Sequence, residues 1–371
     1  MTAEVDRTRL DSREAVLERA ATRRGLSATH IVGLDLSEID LRGVHFAAGL
    51  FEDVIFDRAK LDGVRLMNAT FRGCSFREAT LSGSSWFTVT AERCLFGRAT
   101  LDGCEMPLAT LNECDLTGAT FTRADLSRSQ LERCRLEATN LGGALLLDTV
   151  VDSCDLTSAF LDDADLSSAH LLGCVARGAR FLRTNLTGAT LIDLDAEGAR
   201  FERAAASSAR CERLRARSAT LGHADFTGAT FVEVDLTEAS LVGACLAGVA
   251  GEAADGRPSM RAAGANLHGA SLKGATLPRA DLSRTNLSLC DASGALLGDA
   301  DLRGAQIVRT TFDGARLTGA TFDGALLDGV LLDRADCAGA RFGDATFCSI
   351  DLGGARLDDA DMTRIRVIEE R

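Results

Sequence analysis

The chain has no tyrosine, one tryptophan, three prolines and five histidines among its 371 residues. An aromatic core must therefore come from its 17 phenylalanines. No run approaches the length of apolar residues that a membrane-spanning helix needs, and no apolar stretch follows the first basic residues. Neither a membrane span nor a cleaved secretion signal is expected. Phosphate loops, dinucleotide fingerprints, nucleophile elbows and metal-ligand spacings are missing too. His30, His45, His170, His223 and His268 are scattered. These absences point away from the common catalytic classes, so we expect no enzyme, no cofactor and no metal.

What the chain does have is a period of five. From Leu111 to Leu141 it reads L-NECDL-TGATF-TRADL-SRSQL-ERCRL-EATNL. Every fifth residue, here termed central, is Leu or Phe. Two places earlier stands a small residue, termed pre-central: Cys114, Ala119, Ala124, Ser129, Cys134 and Thr139. Five matches neither the 3.6 of a helix nor the 2.0 of a strand. A second period of twenty runs through it: the pre-central slot holds Cys at 74, 94, 114, 134, 154 and 174. Leu34 and Val54 extend that row backwards; Leu194, Leu214 and Val234 extend it forwards. Where the slot holds Leu194 or Leu214, the next central residue shrinks to Ala196 or Ala216. Close packing demands such compensation.

The motif A-[DN]-L-x-x, clean at Ala124-Asp125-Leu126, Ala164-Asp165-Leu166, Ala280-Asp281-Leu282 and Ala300-Asp301-Leu302, resembles the pentapeptide-repeat family over roughly 31–367. The resemblance implies an all-β fold, a right-handed quadrilateral parallel β-helix. Four steps make one square coil, with central and pre-central side chains inside.

Residues 1–30 lack the repeat. Asp11-Ser12-Arg13-Glu14 reads as a capping box with Asp11 as N-cap, opening a predicted helix over 12–24 that Gly25 ends. We expect this helix to cap the first coil. The first block of repeats is 31–248. Its phase breaks in LAGVAGEAADGRPSMRAAGANL, where Leu246 and Leu267 are the flanking central residues. One reading is a degenerate coil with one extra residue; the other is an inserted loop of sixteen. After the break the bulky pre-central residues are Cys290, Thr310, Val330 and Ile350. They line up with Val234 only in the second reading, so we predict a loop over 249–264 and a second block over 265–371. Trp86 in a central slot predicts a local bulge. Pro107 follows a central Met106, at a corner where a missing N–H is tolerated.

Ten of the twelve cysteines fall in inward slots and are expected to be reduced core thiols; Cys245 and Cys348 face outward. Free thiols fit a cytoplasmic location.

The resemblance also implies a function to weigh, because some family members mimic duplex DNA on type II topoisomerases. The net charge is −13. About 65 pentapeptides make about 16 coils, or about 75–80 Å at about 4.8 Å each. Duplex DNA of that length carries roughly 45 negative charges. A basic stretch also interrupts any acidic stripe: Arg177, Arg180, Arg183, Arg200, Arg203, Arg210, Arg213, Arg215 and Arg217. Arg180, Arg183, Arg200 and Arg203 are therefore candidate partner-binding residues, with Glu252, Asp255 and Arg257 of the predicted loop. The helical stretch Ser12 to Ala20 is similar to one in pentapeptide proteins associated with type VI secretion. Our reading is a non-enzymatic protein-binding or scaffold solenoid, a secretion-system accessory being one form of it. The alternative is an inhibitor or protector of DNA gyrase or topoisomerase IV. Neither direct nucleic-acid binding nor membrane binding is expected.

Overall fold

The computed structural model describes residues 7–252 and 257–368. It forms two compact units, Met1–Thr184 and Asn185–Arg371. Each is an all-β parallel solenoid built from the five-residue step.

The step is a β-turn. The pre-central N–H donates to the carbonyl of the central residue three places earlier, as in Ala59 to Phe56 at 3.0 Å and Ala119 to Leu116 at 2.9 Å. The residue between turn and pre-central slot is left-handed, as in Arg58 (φ 55°) and Arg98 (φ 57°). Side chains rarely adopt that conformation; here they point to solvent, and the turn hydrogen bond and coil stacking hold them. Successive coils then pair in parallel at a spacing of twenty on all four sides. In unit 1, Leu111 pairs with Leu131, Asp115 with Arg135, Thr120 with Asn140 and Asp125 with Leu145. We call these walls A, B, C and D. Central and pre-central side chains are buried on every wall except near the first and last described coils, where Leu34, Ile350, Leu352 and Leu357 are half-buried and Val367 is exposed. Each buried Leu or Phe contributes about 1.5–3 kcal/mol relative to exposure.

Wall A is the most extended. In unit 1 it carries β1 (Thr8–Leu10), β2 (Thr29–Val32), β3 (Leu50–Glu52), β4 (Thr70–Arg72), β5 (Thr90–Glu92), β6 (Thr110–Asn112), β7 (Gln130–Glu132), β8 (Val150–Asp152) and β9 (His170–Leu172). These pair in sequential parallel order. The cysteine row follows these strands, and its thiols line one wall as the sequence predicts. All six are free and buried. Wall A lacks the turn hydrogen bond found elsewhere, and the thiol takes over part of its work. Cys154 Sγ donates to Leu131 O at 3.4 Å and accepts the Cys134 N–H at 3.3 Å. A pre-central Thr310 acts alike, its Oγ1 reaching Leu287 O at 2.6 Å. Burial pushes the Cys174 thiol up to about 11 and those of Cys211 and Cys290 up to about 12, so these groups stay protonated at neutral pH.

The N-terminal helix, α1, spans Arg13–Ala20 with Ser12 as N-cap; the Ser12 side chain accepts the Ala15 N–H at 3.1 Å. The predicted helix was longer and capped by Asp11. The correction has a simple cause, because Ser12 is the extended residue whose side chain can reach back into the first turn. Gly25 does not end the helix, which stops at Ala21. Arg13 donates to Asp35 O and Ser37 O at 3.3 and 3.0 Å, so α1 covers carbonyls at the end of the solenoid. Strand β1 adds the pairing to β2 that the sequence did not reveal.

The predicted bulge at Trp86 is absent. Ser85 stays in register with Arg65 and Glu105. The indole fits because its neighbours are small, Ser84 before it and Ala91 after it, and its N–H donates to Ser84 Oγ at 2.7 Å. Phe71, Phe76 and Phe96 surround the ring at centroid distances of 5.8, 6.1 and 5.8 Å.

Unit 2 contains β10 (Thr190–Ile192), β11 (Arg210–Glu212), β12 (Thr230–Val232), β13 (Val234–Asp235), β14 (Ala250–Glu252), β15 (Met260–Arg261), β16 (Gln306–Val308), β17 (Leu326–Asp328), β18 (Thr346–Cys348) and β19 (Arg366–Ile368). Its phase break differs from both sequence readings. Ala250–Glu252 pairs with Thr230–Val232 at the usual spacing of twenty, but Val234 pairs with Met260. Six extra residues therefore lie between Glu252 and Met260. Most of the predicted 249–264 loop is ordinary coil: Val249, Met260, Ala262 and Ala265 are buried core. The alignment of bulky slots misled the reading because the bulky row changes walls. Val234 continues as Met260 and Ala280, while Cys290 lies above Ala270 and Ala244. The strand-bearing wall moves with it, from the wall of β10, β11, β12 and β14 to the opposite wall, where β16 to β19 stack. Extended geometry thus follows the large pre-central residue rather than a fixed side of the square.

Candidate partner-binding surface

With the interior filled, the outward side chains are left to carry function, and most of them already have structural work. Asp or Asn just before a central residue accepts the N–H two places on. Asp125 takes Ser127 N–H at 2.9 Å, Asp155 takes Thr157 N–H at 2.9 Å and Asn140 takes Gly142 N–H at 3.0 Å. This is an Asx-turn, and it supplies an acceptor for an N–H that coil pairing leaves over. Elsewhere an Asp after the central residue serves the coil above, as Asp62 does for Ser82 N–H at 3.0 Å.

Many charges pair, both along a coil and between coils. Arg58 meets Glu38 at 2.9 Å and Arg72 meets Glu92 at 3.2 Å. In unit 2, rows of opposite sign alternate. Asp193 and Asp195 lie below Arg213 and Arg215, then come Glu233 and Asp235, then Arg261. Arg213 binds Asp193 at 2.6 Å and also contacts Glu212, and Arg257 binds Glu233 at 3.1 Å. Around them lies a shallow depression of about 210 Å³ lined by both signs. The Arg213 guanidinium holds the Asp193 carboxyl below its ordinary value.

Most of the candidate residues are ion-paired within their own unit. Arg180 and Arg183 belong to unit 1, where they pair with Asp162 and with Asp163 (2.6 Å); Arg180 also lies 5.4 Å over the Phe160 ring. In unit 2, Arg200 pairs with Glu202 at 3.1 Å, Glu252 with Arg210 at 3.7 Å and Arg257 with Glu233. Arg203 alone among them has no ion pair among the described residues. Asp255 lies outside the described residues. The basic excess seen along the sequence is thus largely neutralised once coils stack.

One area of unit 1 breaks the charged pattern. On three consecutive coils, residues 66–71, 86–91 and 106–111 contain no charged residue. Their outward positions are Met67, Asn68 and Thr70; Phe87, Thr88 and Thr90; Pro107, Leu108 and Thr110. Met67, Phe87 and Leu108 are 48%, 39% and 46% exposed. Met67, Phe87 and Pro107 line a hollow of about 300 Å³ with Ser85 and Glu105. Pro107 sits after a central residue, where the N–H takes no part in coil pairing, so the prediction for its position holds. On the neighbouring coils of unit 1 the same column holds Ala47, Ser127, Leu147 and Ser167, so large apolar groups occupy it on consecutive coils at Met67, Phe87 and Pro107. A twenty-residue comparison of that column was the available signal for this window, and reasoning from charge overlooked it.

The repeat that builds these surfaces matches the pentapeptide-repeat family model in eight copies, over 35–73, 51–85, 92–128, 129–171, 164–203, 217–249, 265–304 and 295–334. The chain belongs to the pentapeptide-repeat family. Among solved structures it is similar to the pentapeptide-repeat protein HetL of Nostoc sp. strain PCC 7120, which is involved in heterocyst differentiation regulation. The identity is 26%, over 65% of this chain and 90% of that one, with a TM-score of 0.20. It is also similar to QnrB1, a plasmid-mediated fluoroquinolone resistance protein, at 16% identity over 64% and 89% with a TM-score of 0.24. A thylakoid-lumen pentapeptide-repeat protein of Arabidopsis thaliana matches at 25% identity over 40% and 68%, with a TM-score of 0.14. No curated protein matches the chain. Nothing in these likenesses carries the similarity to type VI secretion proteins. As a pentapeptide-repeat protein, the chain spends its consensus Asp and Asn on turn capping, which explains their abundance without an acidic ligand-binding role. Among the described residues no helix is long and apolar enough to cross a membrane.

Proposed function

We propose that this pentapeptide-repeat protein is a non-catalytic scaffold that binds a protein partner. The observation that carries the reading is the uncharged window around Phe87. Exposed apolar patches of this kind mark interaction sites, and this one interrupts a surface that is otherwise rich in charge on neighbouring coils. A filled interior is consistent with a protein that works through its outer surface.

DNA mimicry at gyrase or topoisomerase IV is the second reading, and the net charge of −13 favours it. The alternating rows at Asp193, Arg213, Glu233 and Arg261 weigh against it, because a mimic of a polyanion needs uninterrupted negative potential. Two measurements separate the readings. A photo-crosslinking amino acid at position 87 should capture one recurring protein from extracts of the source cells, whereas the same probe at Arg77 should not. Gyrase supercoiling should be unchanged by low-micromolar protein with or without a quinolone. Inhibition or protection there, with no adduct at position 87, would favour the mimic instead.

A further inference from the structure

The window has a shape and a charge frame that select its occupant. Coils rise about 4.8 Å each, so Met67, Phe87 and Pro107 form a straight apolar column about 9.6 Å from first to third. An α-helix laid along the solenoid axis presents one apolar stripe with a side chain roughly every 5.4 Å. The two repeats match closely enough for three successive helical turns to contact three successive coils. An extended strand along the same axis brings side chains to one face at about 6.6–6.8 Å intervals and drifts out of step within three coils.

Beside the column, one position before each central residue, stand Arg65, Ser85 and Glu105, aligned by coil pairing. Arg65 and Glu105 are exposed, and neither makes an ion pair among the described residues. On the other flank Thr70, Thr90 and Thr110 stack in β4, β5 and β6 and offer hydroxyls without charge. The next coil closes the window with Arg128. On the preceding coil, Ala48 already accepts a hydrogen bond from Arg7 at 3.0 Å. Residues 46–51 are uncharged as well, but the column there holds only the small Ala47; the part with large apolar groups is three coils long, with a positive group on one flank at its start and a negative group on the same flank at its end.

Building on the scaffold reading, we infer that the window at Met67, Phe87, Pro107 and Leu108 receives an amphipathic α-helix of a protein partner. That helix lies along the solenoid axis, packs its apolar stripe on the column and sets an acidic side chain against Arg65 and a basic one against Glu105. Phe87, at the middle of the column, is the anchor. Central aromatic residues ringed by polar neighbours dominate such interfaces, and helix-in-groove recognition uses the same spacing of apolar anchors.

The test uses the full chain and a set of fluorescein-labelled, stapled helical peptides. Each carries three leucines one helical turn apart. Flanking the first and last leucine, the peptides carry Glu and Lys, two Glu, or two Lys. A proline-interrupted version of the Glu/Lys peptide serves as a non-helical control. Anisotropy titration should rank the Glu/Lys peptide first, with the control at least about tenfold weaker. Phe87→Asp should weaken binding about tenfold or more while leaving the circular dichroism and melting temperature in place, since Phe87 is already partly exposed. Arg65→Glu should move the preference to the Lys/Lys peptide, and Glu105→Arg should move it to the Glu/Glu peptide.

Equal binding by wild type and Phe87→Asp overturns the inference, as does tighter binding of the non-helical control or an unmoved charge preference. Self-association that Phe87→Asp abolishes, without peptide binding, would show that a second copy occupies the window, and would overturn it too. If the probe at position 87 captures a partner yet every helical peptide fails, the helix is wrong and the scaffold reading stands. If both fail, both readings fall.

Discussion

Ser84 and Trp86 show how little room a coil leaves for improvisation. The indole lies wholly inside the square, and Ser84 Oγ is its hydrogen-bond acceptor at 2.7 Å. The serine hydroxyl in turn donates to Leu81 O. Removing it in Ser84→Ala strands an indole N–H among Phe71, Phe76 and Phe96, with no water able to reach it. We predict a loss of about 1–3 kcal/mol in chemical denaturation, the usual cost of a buried unsatisfied donor. A loss below a few tenths would mean that the ring finds another acceptor or that water enters the coil. Size alone suggested a bulge at Trp86. The compensation by Ser84 and Ala91 was written in the sequence, but its value depends on which side chains share a level of the tube. Linear spacing gives the wall and not the level neighbours across it. The Arg–Asp pairing was within reach of linear spacing, since Arg183 and Asp163 are twenty residues apart on one wall and 2.6 Å from each other; the candidate arginines were read as a charge run instead of wall by wall.

At the scale of the coil, the twenty-residue period was legible because a parallel stack repeats its volume requirements wall by wall. The cysteine row announced wall A before any strand was seen. The phase break was legible as an event and misread as to length. The misreading assumed that the bulky row keeps its wall, whereas the extended geometry moves to wherever the large pre-central residue is placed. Cys290, Thr310 and Val330 take it to the opposite side. The paired segments on either side of the break make a direct prediction. Excising 253–258 joins Glu252 to Ser259 and restores a coil of twenty, leaving Met260 over Val234. The excised protein should keep its β-rich circular dichroism and a single cooperative melt, because only the excursion is lost and closing a shorter loop costs less entropy. Aggregation, or a second transition confined to the C-terminal coils, would show that the six residues hold unit 2 together. The arginines and acids proposed around that excursion were legible as charged and not as paired, since Arg257 reaches Glu233 only once the coil has closed.

Across the whole chain, the carboxylates add up to a pH dependence that no single residue would reveal. The Ser37 hydroxyl lowers Asp35, the Ser293 hydroxyl lowers Asp291, the Arg303 guanidinium lowers Asp301, and the Thr363 hydroxyl lowers Asp361. Arg183 lowers Asp163 in the same way, and Arg42 takes Asp40 down to about 2. A carboxyl whose folded pKa lies below its unfolded value of 3.8 stabilises the fold above that value. The contribution disappears as pH falls through the lower, folded values. The melting temperature should therefore be flat between pH 7 and about pH 5, then fall as the pH drops through about 4 towards 2. Each contribution is small, because these groups face water, but the pattern recurs in coil after coil of both units. Salt separates the two causes. If ion pairs dominated, molar NaCl would screen them and flatten the acid decline. Because Asx-turn acceptors are short hydrogen bonds to the chain itself, most of the decline should survive in salt. A melting temperature that is level from pH 7 to pH 2, or a decline that salt abolishes, would show that the consensus carboxylates do not cap the turns as the geometry has it.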